Sequence, residues 1–440
     1  MARSTTRSSQ RFAACGPRDL GVYIISNPPG RATEVRSQHR LLDTHWRARI
    51  RIKIAAENAR APPDGEDGMV DVIQADQRAA YADYDNRALS RDPRRVAVSD
   101  LPIVDLSPFM GESACKDRLR TARAVRAACI DIGFFYVTGH GFTTKELDDV
   151  LAQGLAFFAL PLEEKMKVLS PDVDMPGFVR TGGMDPEKNR DKVVDIKERF
   201  SLTRELRSGE QVRSDSRTGK TQWPSRALLP TFEDTMKGYI AQLQRVTEAL
   251  NRAFALSLDL AEDYFDGLYQ RPDMTLTMNF YPPIDPSKLK ATQWSFSPHA
   301  DYTAFTVLLQ DLSGGLQARN SAGEWIDVTP KEGTFVVNVG NVLARWTNNL
   351  YSSTLHRALH IGNNSRISAA FFVYPDAATV VRCIETCQGP DNPSRYEDVT
   401  TAQYVRALRE DAHRAGRPAV AVDTAQRLQS VQPETPSTTA

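Results

Sequence analysis

Short apolar segments separated by turn residues recur through residues 274–376. The segments are LTMNFY, FTVLLQ, GLQAR, EWIDV, TFVVNV and RISAAFFVY, and Gly-Gly, Asn-Asn, Pro-Pro and Asp-Pro pairs punctuate the region. Several short β-rich segments at close spacing predict an all-β sandwich or barrel. The pattern argues against a parallel βαβ sheet, because strands of such a sheet alternate with helical segments.

The part of the chain before this region mixes short strands with amphipathic helices. Apolar residues at helical spacing predict helices over 116–130 and 231–258. Thr143 or Thr144 can cap another helix that runs to about Leu160, with Glu146 placed for a capping box. The segments LPIVDLSPF, GFFYVTGHGF and IKERFSL predict short strands, and a last helix is expected over 401–414.

These changes of pattern divide the chain into five segments. We predict a basic, disordered N-terminal extension over 1–95 and a supporting segment of strands and helices over 100–260. The β-rich core follows at 271–380, a C-terminal helical segment at 381–415, and a polar, disordered tail at 416–440.

The first 60 residues carry twelve Arg and Lys against four Asp and Glu, with many Ser and Thr at the start. An Arg- and Ser-rich, acid-poor start is typical of an organellar transit peptide. A disordered arm, or sequence translated upstream of a true start at Met69, explains the same composition, and we favour these explanations.

The overall composition fits a globular protein, and a reducing cytoplasm is its expected location. Fifty-five basic residues balance 55 acidic ones, so no net charge indicates nucleic acid or an anionic membrane as a partner. No apolar run approaches the roughly 18 to 20 residues that span a bilayer. Five cysteines are few and odd in number, which argues against a secreted disulfide framework. We expect a monomer.

His299 and Asp301 stand one residue apart in SFSPHADYTAFTVLLQD, next to a predicted strand. Side chains two apart on a strand point to the same face, so the pair can direct an imidazole and a carboxylate to one point. His356, in SSTLHRALH, lies where a later strand is expected to return. Two imidazoles and one carboxylate form the facial triad of non-haem Fe(II) oxygenases, which leaves positions open for a co-substrate and O2.

Arg366 and Ser368 are also two apart, at the start of the apolar segment ISAAFFVY. An arginine directed into an apolar barrel is costly to bury unless it meets an anion. Guanidinium binds carboxylate through two hydrogen bonds, and a neighbouring hydroxyl adds a third group. The alternative is an arginine at a strand end that reaches solvent; the buried character of the strand argues against it.

Together these residues carry a family resemblance. His299-x-Asp301, His356 and Arg366-x-Ser368, in that order, resemble the isopenicillin N synthase-like family of Fe(II)/2-oxoglutarate-dependent dioxygenases. The segment NFYPP is similar to the N-[YF]-Y-P segment of that family, and GFFYVTGHG is similar to its N-terminal part. The resemblance covers residues 101–414.

The resemblance implies a mainly β fold with flanking helices around a double-stranded β-helix, or jelly-roll, core. It implies Fe(II) as the metal, held by His299, Asp301 and His356, with 2-oxoglutarate and O2 as co-substrates. It also implies that 2-oxoglutarate contacts four residues: Arg366, Ser368, Tyr281 and Asn279. A small organic molecule would be hydroxylated, desaturated or cyclised, with release of succinate and CO2.

Two alternatives differ from this interpretation in their chemistry. Ethylene/succinate-forming enzymes and isopenicillin N synthase-type oxidases use the same iron site with different use of the co-substrate. A jelly-roll binding module without catalysis would have no reason for Arg366. Among the other candidate residues, we expect His140 to stabilise a turn, and His356 rather than His360 to bind the metal. Phe178 and Phe371 are candidates for the substrate pocket or the core.

Overall fold

The structure is a computed structural model that describes residues 101–172, 175–181, 195–211, 218–284, 294–321, 323–359 and 363–415. The predicted extension over 1–95, the tail over 416–440 and His360 lie outside these residues.

Two sheets form the centre of the fold. The larger sheet has eight strands in the order β1-β2-β10-β7-β12-β5-β4-β3, and the smaller has four in the order β6-β11-β8-β9. A two-stranded pair, β13 and β14, lies near the C-terminus. In chain order the strands are β1 Ile103–Asp105, β2 Phe134–Thr138, β3 Gly177–Val179, β4 Glu198–Thr203, β5 Met274–Tyr281, β6 Phe296–His299, β7 Phe305–Gln310, β8 Leu316–Arg319, β9 Trp325–Asp327, β10 Phe335–Val339, β11 His356–Ala358, β12 Arg366–Val373, β13 Val380–Val381 and β14 Val399–Thr400.

The described helices flank the sheets. They are α1 Ser107–Met110, α2 Cys115–Asp131, α3 Thr144–Phe158, α4 Leu162–Met166, α5 Phe232–Ser257, α6 Asn341–Trp346 and α7 Thr401–Ala415. The expected capping box begins α3: Thr143 accepts a hydrogen bond from the backbone N–H of Glu146, whose carboxylate accepts one from the backbone N–H of Thr143. None of the helices that the structure describes is long and apolar enough to cross a membrane.

The outer face of the larger sheet packs against the helices. Phe254 of α5 contacts Phe305 of β7, with ring centroids 5.2 Å apart. Gly154 of α3 approaches the sheet so closely that a Cβ at this position would collide with Met278 of β5. These contacts belong to one continuous apolar core, which makes the larger sheet a rigid base. The inner face of the larger sheet and the smaller sheet carry the residues of the candidate active site.

The predicted β fold with flanking helices and a jelly-roll core is confirmed by the two-sheet architecture and by the solved structures to which it is similar. The predicted helices 116–130, 231–258 and 401–414 correspond to α2, α5 and α7. The segment boundaries, including 271–380 for the core, stay predictions. One detail differs from the sequence analysis: β6 ends at His299, so Asp301 lies in the loop between β6 and β7 and not on a strand.

Candidate active site

Two histidines and one aspartate converge at the edge of the smaller sheet. His299 ends β6 and His356 begins β11, and the two residues are paired directly in the antiparallel register. Asp301 Oδ1 lies 3.6 Å from His299 Nε2 and 3.7 Å from His356 Nε2. Within the part of the chain that the structure describes, these residues form the only group of three or more His, Cys, Asp or Glu side chains placed to hold a metal ion.

Backbone carbonyls fix the orientation of both imidazoles. His299 Nδ1 lies 2.8 Å from the carbonyl oxygen of Ser297, and His356 Nδ1 lies 3.1 Å from that of Thr354. A carbonyl oxygen only accepts hydrogen bonds, so each Nδ1 carries the proton and donates it. In the neutral ring this tautomer leaves the lone pair on Nε2, the nitrogen on the side of Asp301.

The carboxylate of Asp301 is held through one of its two oxygens. Oδ2 accepts hydrogen bonds from Thr306 Oγ1 at 2.6 Å and from Asn338 Nδ2 at 2.8 Å. Burial by itself would raise the pKa of this carboxyl, but the two histidines and these two hydrogen bonds lower it. The group is thus anionic, with Oδ1 turned to the imidazoles.

The ionisation of the cluster suits a divalent metal ion. Burial, followed by the proximity of His356, lowers the pKa of His299 to about 3, so its imidazole is neutral near pH 7. All three side chains are buried. Neutral imidazole nitrogens and one carboxylate oxygen are the donor set that Fe(II) takes in facial triads. The residues present therefore fit the metal.

Arg366 provides a buried cationic group on the larger sheet. Its side chain is almost fully buried, with a relative exposure of 1%. Nη2 donates to Gln310 Oε1 at 3.2 Å, Nη1 lies 3.5 Å from Ser368 Oγ, and the guanidinium lies 4.7 Å from the ring centroid of Tyr281. Its Nε has no hydrogen-bond partner in the described part of the chain. An unsatisfied, buried guanidinium fits a carboxylate ligand such as that of 2-oxoglutarate.

The strand register brings the other predicted residues to the same face. Arg366 is opposite Tyr281, and Ser368 is opposite Asn279, in the antiparallel pair of β12 and β5. Residues directly opposite in a sheet point to the same side, so all four side chains share the inner face. The structure thus brings together all seven residues that the sequence analysis singled out, in two neighbouring groups.

Strand β7 links the two groups. Thr306, which holds Asp301, and Gln310, which holds Arg366, lie on one face of this strand, four residues or about 13 Å apart along it. Neither of these two residues, nor Asn338, was predicted from the sequence. A signal was present: each is a polar residue in an otherwise apolar strand, FTVLLQ or FVVNV.

The remaining candidates have structural roles. His140 Nδ1 accepts from the backbone N–H of Phe142 at 3.2 Å, and its Nε2 lies 3.0 Å from the carbonyl oxygen of Gly333, so it stabilises a turn as expected. Phe178 and Phe371 are fully buried in the apolar core on the helix side of the larger sheet.

Comparison with protein families gives two adjoining matches. The profile of the non-haem dioxygenase in morphine synthesis N-terminal family matches residues 101–226. The profile of the 2OG-Fe(II) oxygenase superfamily matches residues 272–375, which contain both groups of site residues.

Two relatives are similar over most of this chain. The chain is 34% identical over 336 residues to the 2-oxoglutarate-Fe(II) type oxidoreductase ppzC of Metarhizium majus, covering 72% of this chain and 89% of that protein. It is 31% identical over 324 residues to azadirone synthase LFS of Melia azedarach, covering 72% of this chain and 94% of the relative.

Solved structures agree with these relatives. A full-length Neurospora crassa protein, crystallised in complex with alpha-KG, superposes with a TM-score of 0.62 at 29% identity, over 72% of this chain and 97% of that protein. A 2OG-Fe(II) oxygenase family protein from Caulobacter crescentus gives a TM-score of 0.62 at 28% identity, over 71% and 100% of the two chains. With the site geometry, these similarities show that the chain belongs to the 2OG-Fe(II) oxygenase superfamily and is a non-haem iron, 2-oxoglutarate-dependent enzyme that oxidises small molecules.

Proposed function

We propose that His299, Asp301 and His356 are the three protein ligands of Fe(II) in this oxygenase. Support comes from the distances of 3.6 and 3.7 Å between Asp301 Oδ1 and the two Nε2 atoms, and from the protonation of both Nδ1 atoms. Thr306 and Asn338 would act through Asp301, because they restrain its other oxygen.

Arg366 and Ser368 would bind the distal carboxylate of 2-oxoglutarate, with Tyr281 and Asn279 beside them. The observation that carries this assignment is the buried guanidinium of Arg366, which has an unsatisfied Nε and no carboxylate within 4.0 Å among the described residues. A buried cation without an anion is unfavourable, and a dicarboxylate that reaches it from the metal would remove the penalty.

The division of labour between cofactor and protein then follows. When bound, Fe(II), 2-oxoglutarate and O2 supply the oxidising power that removes hydrogen from the substrate, with release of succinate and CO2. The chain holds the metal on one side with three side chains and fixes the co-substrate at its far end with Arg366. Burial of both groups excludes water from the reacting atoms.

Anaerobic titration with Fe(II) and 2-oxoglutarate tests these residue roles. The wild-type protein is expected to develop the weak visible charge-transfer band of the metal chelate. His299→Ala should lose the band because the metal is no longer held. Arg366→Met should keep Fe(II), measured by competition with a chelator. The 2-oxoglutarate concentration that gives half of the band should rise at least about thirtyfold in this variant, which corresponds to a loss of about 2 kcal/mol or more of binding free energy.

A matched control changes a buried histidine outside the cluster. His140→Gln is expected to keep the band, since this side chain stabilises a turn and packs on the ring of Phe335, outside the cluster. A band of wild-type strength and affinity in both His299→Ala and Arg366→Met would contradict the residue roles. Succinate and ethylene release, measured with and without added substrates, separates substrate oxidation from breakdown of 2-oxoglutarate itself.

The monomeric state and the cytoplasmic location stay predictions from the sequence. Light scattering on the purified full-length chain measures the first, and imaging of the tagged chain in its own cells measures the second. A dimer, or a signal confined to an organelle, would contradict them.

A further inference from the structure

Lys197 lies directly before β4 and brings a second cation to the inner face of the larger sheet. Its Nζ donates to Asn279 Oδ1 at 3.2 Å and lies 2.8 Å from the ring centroid of Phe296. The Phe296 ring in turn packs against the His299 ring at an angle of 31°, with centroids 4.1 Å apart. The ammonium is therefore one aromatic ring away from a proposed iron ligand.

The positive charge of Lys197 is not neutralised by a carboxylate next to it among the described residues. No carboxylate oxygen of the described residues lies within 4.0 Å of its Nζ. Asp195 makes the largest compensating contribution, but its Oδ1 already accepts two hydrogen bonds from Ser297, at 2.6 and 2.8 Å. Arg199 and Arg366 add positive charge nearby. The side of the site next to Phe296 thus has a cation without a carboxylate partner among the described residues.

The pKa of this ammonium agrees with that description. Burial, which disfavours the charged form, lowers the pKa of Lys197 to about 7, and the attraction of Asp195 does not make up for it. An anion placed beside Nζ would favour the charged form and raise the pKa again. By linkage, the same anion would bind more tightly because the lysine is there.

Lys197 meets the groove proposed for 2-oxoglutarate at Asn279, and the strand that it precedes is two strands away from the one that carries Arg366. Strand β5 lies between β4 and β12, so Asn279 stands between Lys197 and the strand that carries Arg366 and Ser368. Arg366 already provides a cation for the distal carboxylate of the co-substrate. Lys197 instead lies against Phe296, the residue that covers His299.

We propose that Lys197 binds a carboxylate of the primary substrate, which makes the substrate a small organic acid. The inference rests on the proposed function, because it takes His299 as an iron ligand and Arg366 as the partner of 2-oxoglutarate. The substrate carboxylate pairs with Nζ, and its carbon skeleton lies along the Phe296 ring toward the metal.

The test compares acids with their neutral amides. Benzoate and benzamide, and phenylacetate and phenylacetamide, are titrated calorimetrically into the anaerobic full-length enzyme loaded with Fe(II) and 2-oxoglutarate. For wild type we expect at least one acid to bind about tenfold or more tightly than its amide. Lys197→Met should remove this difference by weakening the acid alone, and Lys197→Arg should keep most of it.

Two further measurements make the outcomes distinguishable. In Lys197→Met the affinity for 2-oxoglutarate, read from the chelate band, should fall by at most about threefold, because the variant removes a hydrogen bond to Asn279 beside the co-substrate. Unchanged amide binding in that variant shows that the pocket is intact. Failure of every acid to exceed its amide, or an equal preference in Lys197→Met, would overturn the proposal. A loss of 2-oxoglutarate affinity in Lys197→Met as large as the loss of acid affinity would also overturn it, by assigning Lys197 to the co-substrate. Absence of the band in wild type would instead refute the proposed function.

Discussion

Replacing Thr306 with valine exchanges a hydroxyl for a methyl group and so removes one hydrogen bond to Asp301 while the branched shape of the side chain is kept. The lost bond is short, 2.6 Å, and its acceptor is a buried carboxylate. Hydrogen bonds to charged groups contribute about 1.5–3 kcal/mol. Asn338 still donates to the same oxygen, so we expect the lower end of that range. About 1.5 kcal/mol corresponds to roughly tenfold weaker metal binding, within the span typical of groups that orient a metal ligand.

Competition with a chelator measures the Fe(II) affinity of Thr306→Val under anaerobic conditions. Thr247→Val is a matched control, because Thr247 is also buried but its hydroxyl donates to the backbone of α5 at Leu243, on the helix side of the sheet. It should bind Fe(II) like wild type. If Thr306→Val binds Fe(II) as tightly as wild type, Thr306 does not orient Asp301 for the metal.

Three further changes extend the predictions. Gly340→Ala would drive a Cβ into the carbonyl oxygen of Thr303. Thr303 belongs to the loop that holds Asp301, so we expect a lower Tm and weaker Fe(II) binding. A Tm and an Fe(II) affinity equal to those of wild type would refute the clash. Gln310→Leu removes the hydrogen-bond acceptor of the Arg366 guanidinium. The affinity for 2-oxoglutarate, measured in the chelate titration, should fall about two- to tenfold while the affinity for Fe(II) stays unchanged. An equal loss of Fe(II) affinity would contradict this. Hydrogen bonds from Arg204 lower the pKa of Glu210 to about 2, below its value in the unfolded chain. The stabilisation that they provide is therefore present above about pH 4.5 and lost as the pH falls toward 2. In urea unfolding, the free energy of unfolding of Glu210→Gln should lack this part of the acid dependence, and the same pH dependence as in wild type would exclude it.

The longer strands that carry the site could be predicted because their amino-acid composition differs from that of the loops between them. β12 and β5 are long, β-branched and aromatic, so their location was evident, and Arg366-x-Ser368 could be placed on one face by the two-residue period. β6 and β11 are only four and three residues long. Such short strands leave little periodic signal. His299 was singled out by its spacing to Asp301 and His356 by its place where a later strand returns, and the resemblance to a family then supported both.

Pairing across strands far apart in sequence explains what the sequence analysis missed. Thr306 and Asn338 meet Asp301 only because β7 and β10 are neighbours, with Thr306 opposite Asn338 in the register. Gln310 meets Arg366 because β7 and β12 are also neighbours. Strand order is set by the whole fold, so polar residues inside apolar strands could be noticed but not assigned to partners. Lys197 was missed for the same reason: its contact with Asn279 depends on the pairing of β4 with β5.

A crystal structure of the chain grown anaerobically with Mn(II) in place of Fe(II), and with 2-oxoglutarate, tests the central claim most directly. The account predicts an anomalous peak for the metal within bonding distance of His299 Nε2, Asp301 Oδ1 and His356 Nε2, and a co-substrate carboxylate paired with Arg366. A metal bound elsewhere, or a co-substrate whose distal carboxylate does not contact Arg366, would contradict it.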